Sequence, residues 1–376
     1  MPVRVGFAKA DGTVITADMP QQYTNKPLEI PVLHNITKAD YKAPNPDYWF
    51  WCWDTSAPPT GDNCLCRARL LPNNTIQVDV TRMNLPFNGF ITQITADYLT
   101  VNAVGGHIFV GFDFGQFGFF GAFKFTITQD NPLILASPPA YFLFGQGGFP
   151  NANRVGGIAL NTTHTILTVL YNNPQDNNEM YACIVNTGTF AQVGGSPVKI
   201  GTPAGVTNQG FRLETDVWQS SYNYGWQVLT GKDAAGGYRL FAVNPDTLAT
   251  WSSATIAVGG PIDFNHSFRN DGELCLIAIL STDVANTLQF RQTPINAPAK
   301  YSGVISEAHE NRSPATYDVE KIGQRRYYGN WNKDANTPSL RRWSAPPPAL
   351  DDVSVYASPG VVVYAVACVR EGFVIP

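Results

Sequence analysis

Charge is scarce in this chain of 376 residues: 25 Lys+Arg and 29 Asp+Glu make up 14% of it, against roughly 25% in an ordinary soluble domain. The formal net charge is −4. With no cationic excess to displace counterions from phosphates, electrostatic binding of nucleic acid is excluded. Histidine is rarer still. The five present (His34, His107, His164, His266, His309) form no His-X-X-X-His pair, and no Cys-X-X-Cys pair occurs, so a dedicated transition-metal centre lacks its ligands. Long apolar runs are missing too. The longest, such as Val361–Val369 and Leu274–Leu280, fall far short of the ~20 residues of a membrane-spanning helix. The segment Met1–Phe7 has no apolar run before a small-residue cleavage site and does not read as a signal peptide.

Cysteine is thinly spread. Cys52, Cys64, Cys66, Cys183, Cys275 and Cys368 lie among apolar neighbours and read as buried free thiols acting as small hydrophobes. Cys64-Leu65-Cys66 is too tight for a zinc knuckle, and no second pair follows it. A Cys52–Cys64 bridge across a hairpin is the one disulfide worth testing. The Asn-X-Ser/Thr matches at Asn35, Asn73, Asn161, Asn265 and Asn311 read as coincidences of an Asn/Thr-rich chain. Gly145-Gln146-Gly147-Gly148 leads into no helix, so a phosphate cradle is not expected. No serine or cysteine nucleophile is marked by a motif.

Helical periodicity is nearly absent. What recurs is a run of five to nine residues rich in Val, Ile, Phe, Tyr, Trp and Thr, bounded by Gly, Pro, Asn and Asp, as in His107–Phe112, Thr165–Leu170 and Val361–Val366. That is the signature of short strands joined by turns. Apolar residues amount to 44%, enough for a large core.

The turns fall into two alternating series. One passes through Asp11, Asn73, Asp130, Thr187, Asp246, Asn296 and Pro346, at spacings of 62, 57, 57, 59, 50 and 50. The other passes through Asn45, Gly105, Thr162, Tyr222, Asp271, Gly323 and Pro359. Each repeat then holds four antiparallel strands, A to D. The chain starts on a C–D hairpin within residues 1–20, continues through six units over residues 28–350, and finishes on an A–B hairpin within residues 351–376. Two half-units at opposite ends make one sheet and remove two unpaired edges. Pro346-Pro347-Pro348 interrupts the outer strand of the sixth unit, a tolerable place for proline because D is an edge strand.

A four-stranded unit repeated every 50 to 60 residues resembles the β-propeller proteins, and the resemblance covers the whole chain. It implies an all-β fold of seven blades, six being the alternative count, with one blade shared between the chain ends. Stacked sheets also account for scarce charge, since most strand positions face another sheet. No subfamily signature accompanies the repeat. Trp53-Asp54 is the only Trp-Asp pair, no Ser-X-Asp-X-Gly-X-X-Trp box is present, and the Gly-Gly doublets are out of register.

Three groups of residues stand out as sites. Each B–C loop carries aspartate, at Asp54, Asp113, Asp176, Asp233, Asp283 and Asp334. Pointed at the axis, these would make an acidic ring for a hard cation; equally, aspartate favours turns because it bonds the local backbone. No metal or other cofactor is expected. Phe114, Phe117, Phe119 and Phe120 crowd a Gly-rich loop, and exposed phenylalanines there would mark a partner surface. Arg325, Arg326, Arg341 and Arg342 make one basic spot on adjacent strands, suited to carboxylates or simply solvated. Trp49, Trp51 and Trp53 share a strand face and read as blade packing. Glu307-Ala308-His309-Glu310 reads as a solvated turn.

The expected function is therefore non-enzymatic and structural. The low charge and the Asn/Thr/Gln/Gly/Pro-rich β composition resemble bacteriophage tail and capsid-accessory proteins, some of which carry a β-propeller. That resemblance implies a virion location and assembly in the host cytoplasm. The partners would be other virion proteins or further copies of the chain in a symmetric ring. The alternative is an extracellular propeller lectin or receptor-binding adhesin that binds glycans. A propeller glycoside hydrolase is a third reading, set against by the lack of a convincing acid pair.

Overall fold

The computed structural model describes the backbone at residues 3–8, 14–24, 37–38, 47–57, 61–83, 90–96, 104–114, 119–144, 155–161, 163–173, 176, 179–200, 213–215, 227–232, 238–252, 263–267, 274–281, 287–294, 302–308, 319–322, 325–332, 337–344, 349–352 and 362–368. Side chains are described at positions between Val5 and Thr250.

Strands dominate the described residues, and they pair into seven sheets in chain order. The first hairpin is β1 (Val3–Ala8) and β2 (Val14–Asp18). The second sheet holds β3 (Tyr23–Thr24), β4 (Thr37–Lys38), β5 (Asp47–Asp54), β6 (Asp62–Leu70) and β7 (Ile76–Arg82). The third holds β8 (Phe90–Ala96), β9 (His107–Phe114), β10 (Phe119–Asp130), β11 (Leu133–Leu135) and β12 (Ala140–Phe144). The fourth holds β13 (Val155–Leu160), β14 (Ile166–Asn173), β15 (Glu179–Asn186), β16 (Ala191–Gln192) and β17 (Val198–Lys199).

Three four-stranded sheets follow. They are β18 (Leu213–Thr215) to β21 (Thr250–Ser252), through β19 (Gln227–Lys232) and β20 (Tyr238–Val243); β22 (Asp263–Ser267) to β25 (Ser302–Ala308), through β23 (Leu274–Ser281) and β24 (Thr287–Pro294); and β26 (Val319–Ile322) to β29 (Ala349–Asp352), through β27 (Arg325–Asn332) and β28 (Thr337–Ser344). The last strand, β30 (Val362–Cys368), returns to β1.

Within the second to seventh sheets every pairing is antiparallel, and the long strands pair in chain order, as β5–β6–β7 shows. Successive sheets then stack face to face. Phe50, Cys52, Cys64, Cys66, Ala68 and Leu70 of the second sheet pack with Val5 and Met19 of the first hairpin and its exit. The opposite face, with Trp49, Trp51 and Leu65, packs on Ile94, Ile108, Val110, Phe112, Phe123 and Phe125 of the third sheet. The far side of that sheet, through Phe109 and Ala122, meets Ile158, Leu160, Leu167 and Val169 of the fourth. Ala159, Leu170, Ala182 and Ile184 in turn meet Val243 of the fifth.

Burial on both faces sets the strand composition. In β6 all residues from Asn63 to Leu70 are buried, so the strand is covered on both faces, its polar residues Asn63, Arg67 and Arg69 included. The tryptophans expected to pack between blades do so: Trp49 and Trp51 are buried between the second and third sheets.

Two features differ from expectation. The chain ends do share a sheet, in the order β2–β1–β30, but β1 and β30 run parallel, with a register shift between Arg4 and Val5. Parallel neighbours require a long crossover when they are consecutive; strands from opposite ends of a chain escape that constraint. Secondly, the outer strand is broken in two sheets, β11 from β12 and β16 from β17, around cis Ser137-Pro138 and Ser196-Pro197. Proline there removes an edge donor and blunts the edge. Pro346, Pro347 and Pro348 lie outside the described residues, in the link between β28 and β29.

The Cys52–Cys64 bridge, the one disulfide worth testing, is not formed. The two residues are register partners across β5 and β6, yet both are free thiols. Cys52 Sγ lies 3.0 Å from the Sγ of Cys66, its diagonal neighbour. Cys52, Cys64, Cys66 and Cys183 are buried and free, as apolar surroundings predicted.

Candidate functional site

The phenylalanine group belongs to the end of the β9–β10 hairpin. Phe114 and Phe119 are register partners there, and Phe120 lies opposite Asp113 on one side and Phe144 on the other. The antiparallel ladder thus brings Phe114, Phe119, Phe120 and Phe144 to one end of the third sheet. Phe117 lies outside the described residues. The hairpin is held close by Gly121. A Cβ at that position would sit 1.9 Å from the Phe142 carbonyl oxygen, so only glycine lets β12 approach β10.

The arginine group is divided by register. Arg326 pairs with Trp343 and Tyr328 with Arg341, while Arg325 pairs with Ser344 and Tyr327 with Arg342. Because successive residues alternate between sheet faces, Arg326 and Arg341 share one set of positions and Arg325 and Arg342 the other. The four side chains lie outside those described.

Two of the six B–C loop aspartates have described side chains, and both are held by neighbours. Asp54 is buried at the end of β5. It accepts hydrogen bonds from Ser56 N at 2.9 Å, Ser56 Oγ at 2.6 Å and Arg82 Nη2 at 2.7 Å. Burial works to raise its pKa, but the Ser56 and Arg82 bonds outweigh it and leave the carboxyl below its ordinary value. Asp176 accepts from the Tyr181 hydroxyl at 2.7 Å and from Lys199 Nζ at 3.1 Å, and those two bonds lower its pKa. Tyr181 is stacked on Tyr171, with ring centroids 5.8 Å apart. Asp113 lies in β9, opposite Phe120 and Phe90; Asp233, Asp283 and Asp334 are outside the described residues. Among the described residues no group of three or more His, Cys, Asp or Glu is arranged to hold a metal ion.

Among the described residues the densest charge cluster lies elsewhere, between the second and third sheets. Arg67 and Arg69 alternate with Leu65 on the β6 face turned toward the third sheet, where a cation has no water. Arg67 is fully buried. Its guanidinium donates to Asp79 Oδ2 at 2.7 and 3.1 Å, to Asp130 Oδ1 at 2.5 Å and to the Asp130 carbonyl at 2.7 Å. Its Cζ also lies 5.7 Å from the centre of the Trp49 ring, within cation–π range. Arg69 donates to Asp130 at 2.9 and 3.1 Å and to Asp47 at 3.3 Å. The Asp130 carboxyl is desolvated, which raises its pKa, but the Arg69 and Arg67 hydrogen bonds prevail and hold it below its ordinary value.

Asp130 marks the turn between β10 and β11, and the same position recurs as an acceptor in the following sheets. Lys124 Nζ of the third sheet donates to the Thr187 carbonyl of the fourth at 2.6 Å. Asn161 Nδ2 of the fourth donates to Asp246 Oδ1 of the fifth at 3.3 Å. Asp130, Thr187 and Asp246 are the residues that set the sequence period, so in three consecutive interfaces the repeat turn is tied to the sheet before it. Asn161, one of the glycosylation matches, is 2% exposed and its side chain also accepts from the backbone of Thr165 and Ile166. The sequence shows one sign of this arrangement: an Arg-Ala-Arg in an otherwise apolar strand, with Lys124 at the equivalent distance before the next turn.

No protein-family model matches the chain, and no curated protein matches its sequence. Solved structures do match. A putative 6-phosphogluconolactonase from Bacteroides uniformis is similar over 96% of this chain and 96% of its own, at 11% identity and a TM-score of 0.54. Oligogalacturonate lyase from Vibrio parahaemolyticus is similar over 95% of this chain and 84% of its own (8% identity, TM-score 0.47). The WD40 domain of Toxoplasma gondii coronin matches over 92% and 90% (7% identity, TM-score 0.46). The nearly full-length match to the lactonase and the sheets stacked in chain order show a β-propeller fold. At such identities the likeness is one of fold alone.

Proposed function

We propose that the chain is a seven-bladed propeller closed by a blade from its two ends, and that it serves as a non-enzymatic structural subunit in a ring-shaped virion assembly. What supports the reading is where the charge sits. Of an already small complement, several described acidic and basic groups bind each other within or between sheets: Arg67 and Arg69 with Asp47, Asp79 and Asp130, Arg82 with Asp54, and Lys199 with Asp176. Charge in these pairs holds blades in place, and a composition of 14% charged residues suits a surface covered by neighbouring subunits. The phenylalanines at the end of the β9–β10 hairpin are the proposed contact surface, with Arg325, Arg326, Arg341 and Arg342 as a second one. Mass photometry across a concentration series tests the reading: closed oligomers of one size support it, and a monomer at every concentration overturns it. A glycan array with several strong hits would favour the lectin reading instead.

A further inference from the structure

Three thiols occupy one face of the second sheet. Cys52 on β5 stands opposite Cys64 on β6, and Cys66 follows two residues later on the same face. All three have no exposed surface and share a core with Phe50, Val5 and Met19. The Cys52 thiol interacts with both of the others. Cys52 Sγ and Cys66 Sγ are 3.0 Å apart, while Cys64 Sγ rests 4.0 Å from the Asp62 carbonyl oxygen.

We propose that Cys52 and Cys66 are a disulfide-forming pair, closed by exchange with a small-molecule disulfide such as oxidised glutathione, while Cys64 stays a thiol. One of the two cysteines loses its proton to solvent and attacks a glutathione sulfur, expelling one glutathione thiolate. The other, deprotonated in turn, attacks the protein sulfur of the mixed disulfide and expels the second glutathione. Two protein thiols are oxidised to one disulfide and one glutathione disulfide is reduced to two thiols. Bonding distance for two sulfurs is about 2.05 Å, so closure asks the two sulfurs to approach from a contact of 3.0 Å.

Access sets the rate. The pair lies beneath Val5 and Met19, and the partly buried Ile15 and Ala17 of β2 pack on the same core. Burial pushes the Cys52 and Cys66 thiols up in pKa, so the reactive thiolate is rare while the first hairpin is seated. The bond therefore forms when β1 and β2 lift off the second sheet, and its rate of formation reports the seating of the sheet that joins the two chain ends.

The test uses the full chain, incubated in its native state with excess oxidised glutathione at mildly alkaline pH, then blocked with an alkylating agent in denaturant and digested with chymotrypsin. Cleavage after Trp53 and Leu65 puts Cys52, Cys64 and Cys66 on three separate peptides, so mass spectrometry identifies the linked pair directly. The expected product is a Cys52–Cys66 peptide lacking two hydrogens, with Cys64 alkylated, and Cys64→Ser keeps that product. A dominant Cys52–Cys64 link, loss of the link in Cys64→Ser, or no link in native protein after prolonged exposure would each overturn the proposal. The wild-type peptide map decides the matter even where Cys52→Ser or Cys66→Ser fails to fold.

Discussion

Arg67 and Asp130 belong to neighbouring sheets, and the guanidinium of the first grips both the carboxylate and the carbonyl oxygen of the second, at 2.5 and 2.7 Å. One repeat later Lys124 makes the corresponding bond to the Thr187 carbonyl at 2.6 Å. In both pairs a cation near the middle of strand C reaches the turn that ends strand C of the next sheet. The polar tie between sheets is thus itself a repeated element, although the residues that make it differ.

Removing Asp130 is expected to be the costlier lesion. Asp130→Ala leaves two arginines with fewer counter-charges, Arg67 fully buried, and breaking a buried pair of this kind costs about 3–5 kcal/mol. Lys124→Met removes a single charged hydrogen bond to a carbonyl and is expected to cost about 1.5 kcal/mol. Urea unfolding of both variants checks the order; equal losses would show that the first cluster carries no special weight.

Acid should weaken the same tie. Asp130 and Asp54 have folded pKa values depressed below the ordinary aspartate value of 3.8. Their contribution is fully present above that value and is lost as pH falls from it through the depressed folded values. Stability measured against pH should therefore drop below about pH 4, and the Asp130→Asn variant should drop less steeply over the same window.

The thiols offer a count. Cys52, Cys64, Cys66 and Cys183 are buried and free, and burial pushes Cys183 up to about 12. A disulfide dye added to native, reduced protein is expected to leave these four unlabelled over minutes and to label them once denaturant is added. Prompt labelling of any of the four in native protein, located by peptide mapping, would contradict the packing between sheets.

Gly121→Ala probes the β9–β10 hairpin. The new methyl meets the Phe142 backbone, which cannot swing aside as a side chain would, so β12 must separate from β10. Overpacking of this kind costs about 1–3 kcal/mol or more. If the hairpin end is a subunit contact, the variant loses assembly at temperatures where circular dichroism still reports folded β structure.

Much of the architecture could be read from punctuation. The turns marked by Asn73, Asp130, Thr187, Asp246 and Asn296 all fall between the strand-C and strand-D positions of their sheets, because Asn, Asp, Gly and Pro favour tight turns wherever they occur. Pairing direction at the ends was not legible: β30 reads equally well parallel or antiparallel to β1, since both faces of the strand are apolar. Nor was the role of the charges. Asp54 and Asp130 look alike as turn formers in sequence, and only the fold brings Arg82 to one and Arg67 with Arg69 to the other. Arg67 and Arg69 escaped notice because a single strand shows no sign of which neighbour will neutralise it.

The pairing of β1 with β30 has a consequence for the order of events during synthesis. The second to seventh sheets are complete once their own consecutive strands have left the ribosome, and each can dock on the one before it. The sheet that begins first is finished last, because Val3–Ala8 must wait for Val362–Cys368. Until β30 has emerged β1 carries an open edge, and closing it brings together residues far apart in the chain, the slowest kind of contact to form.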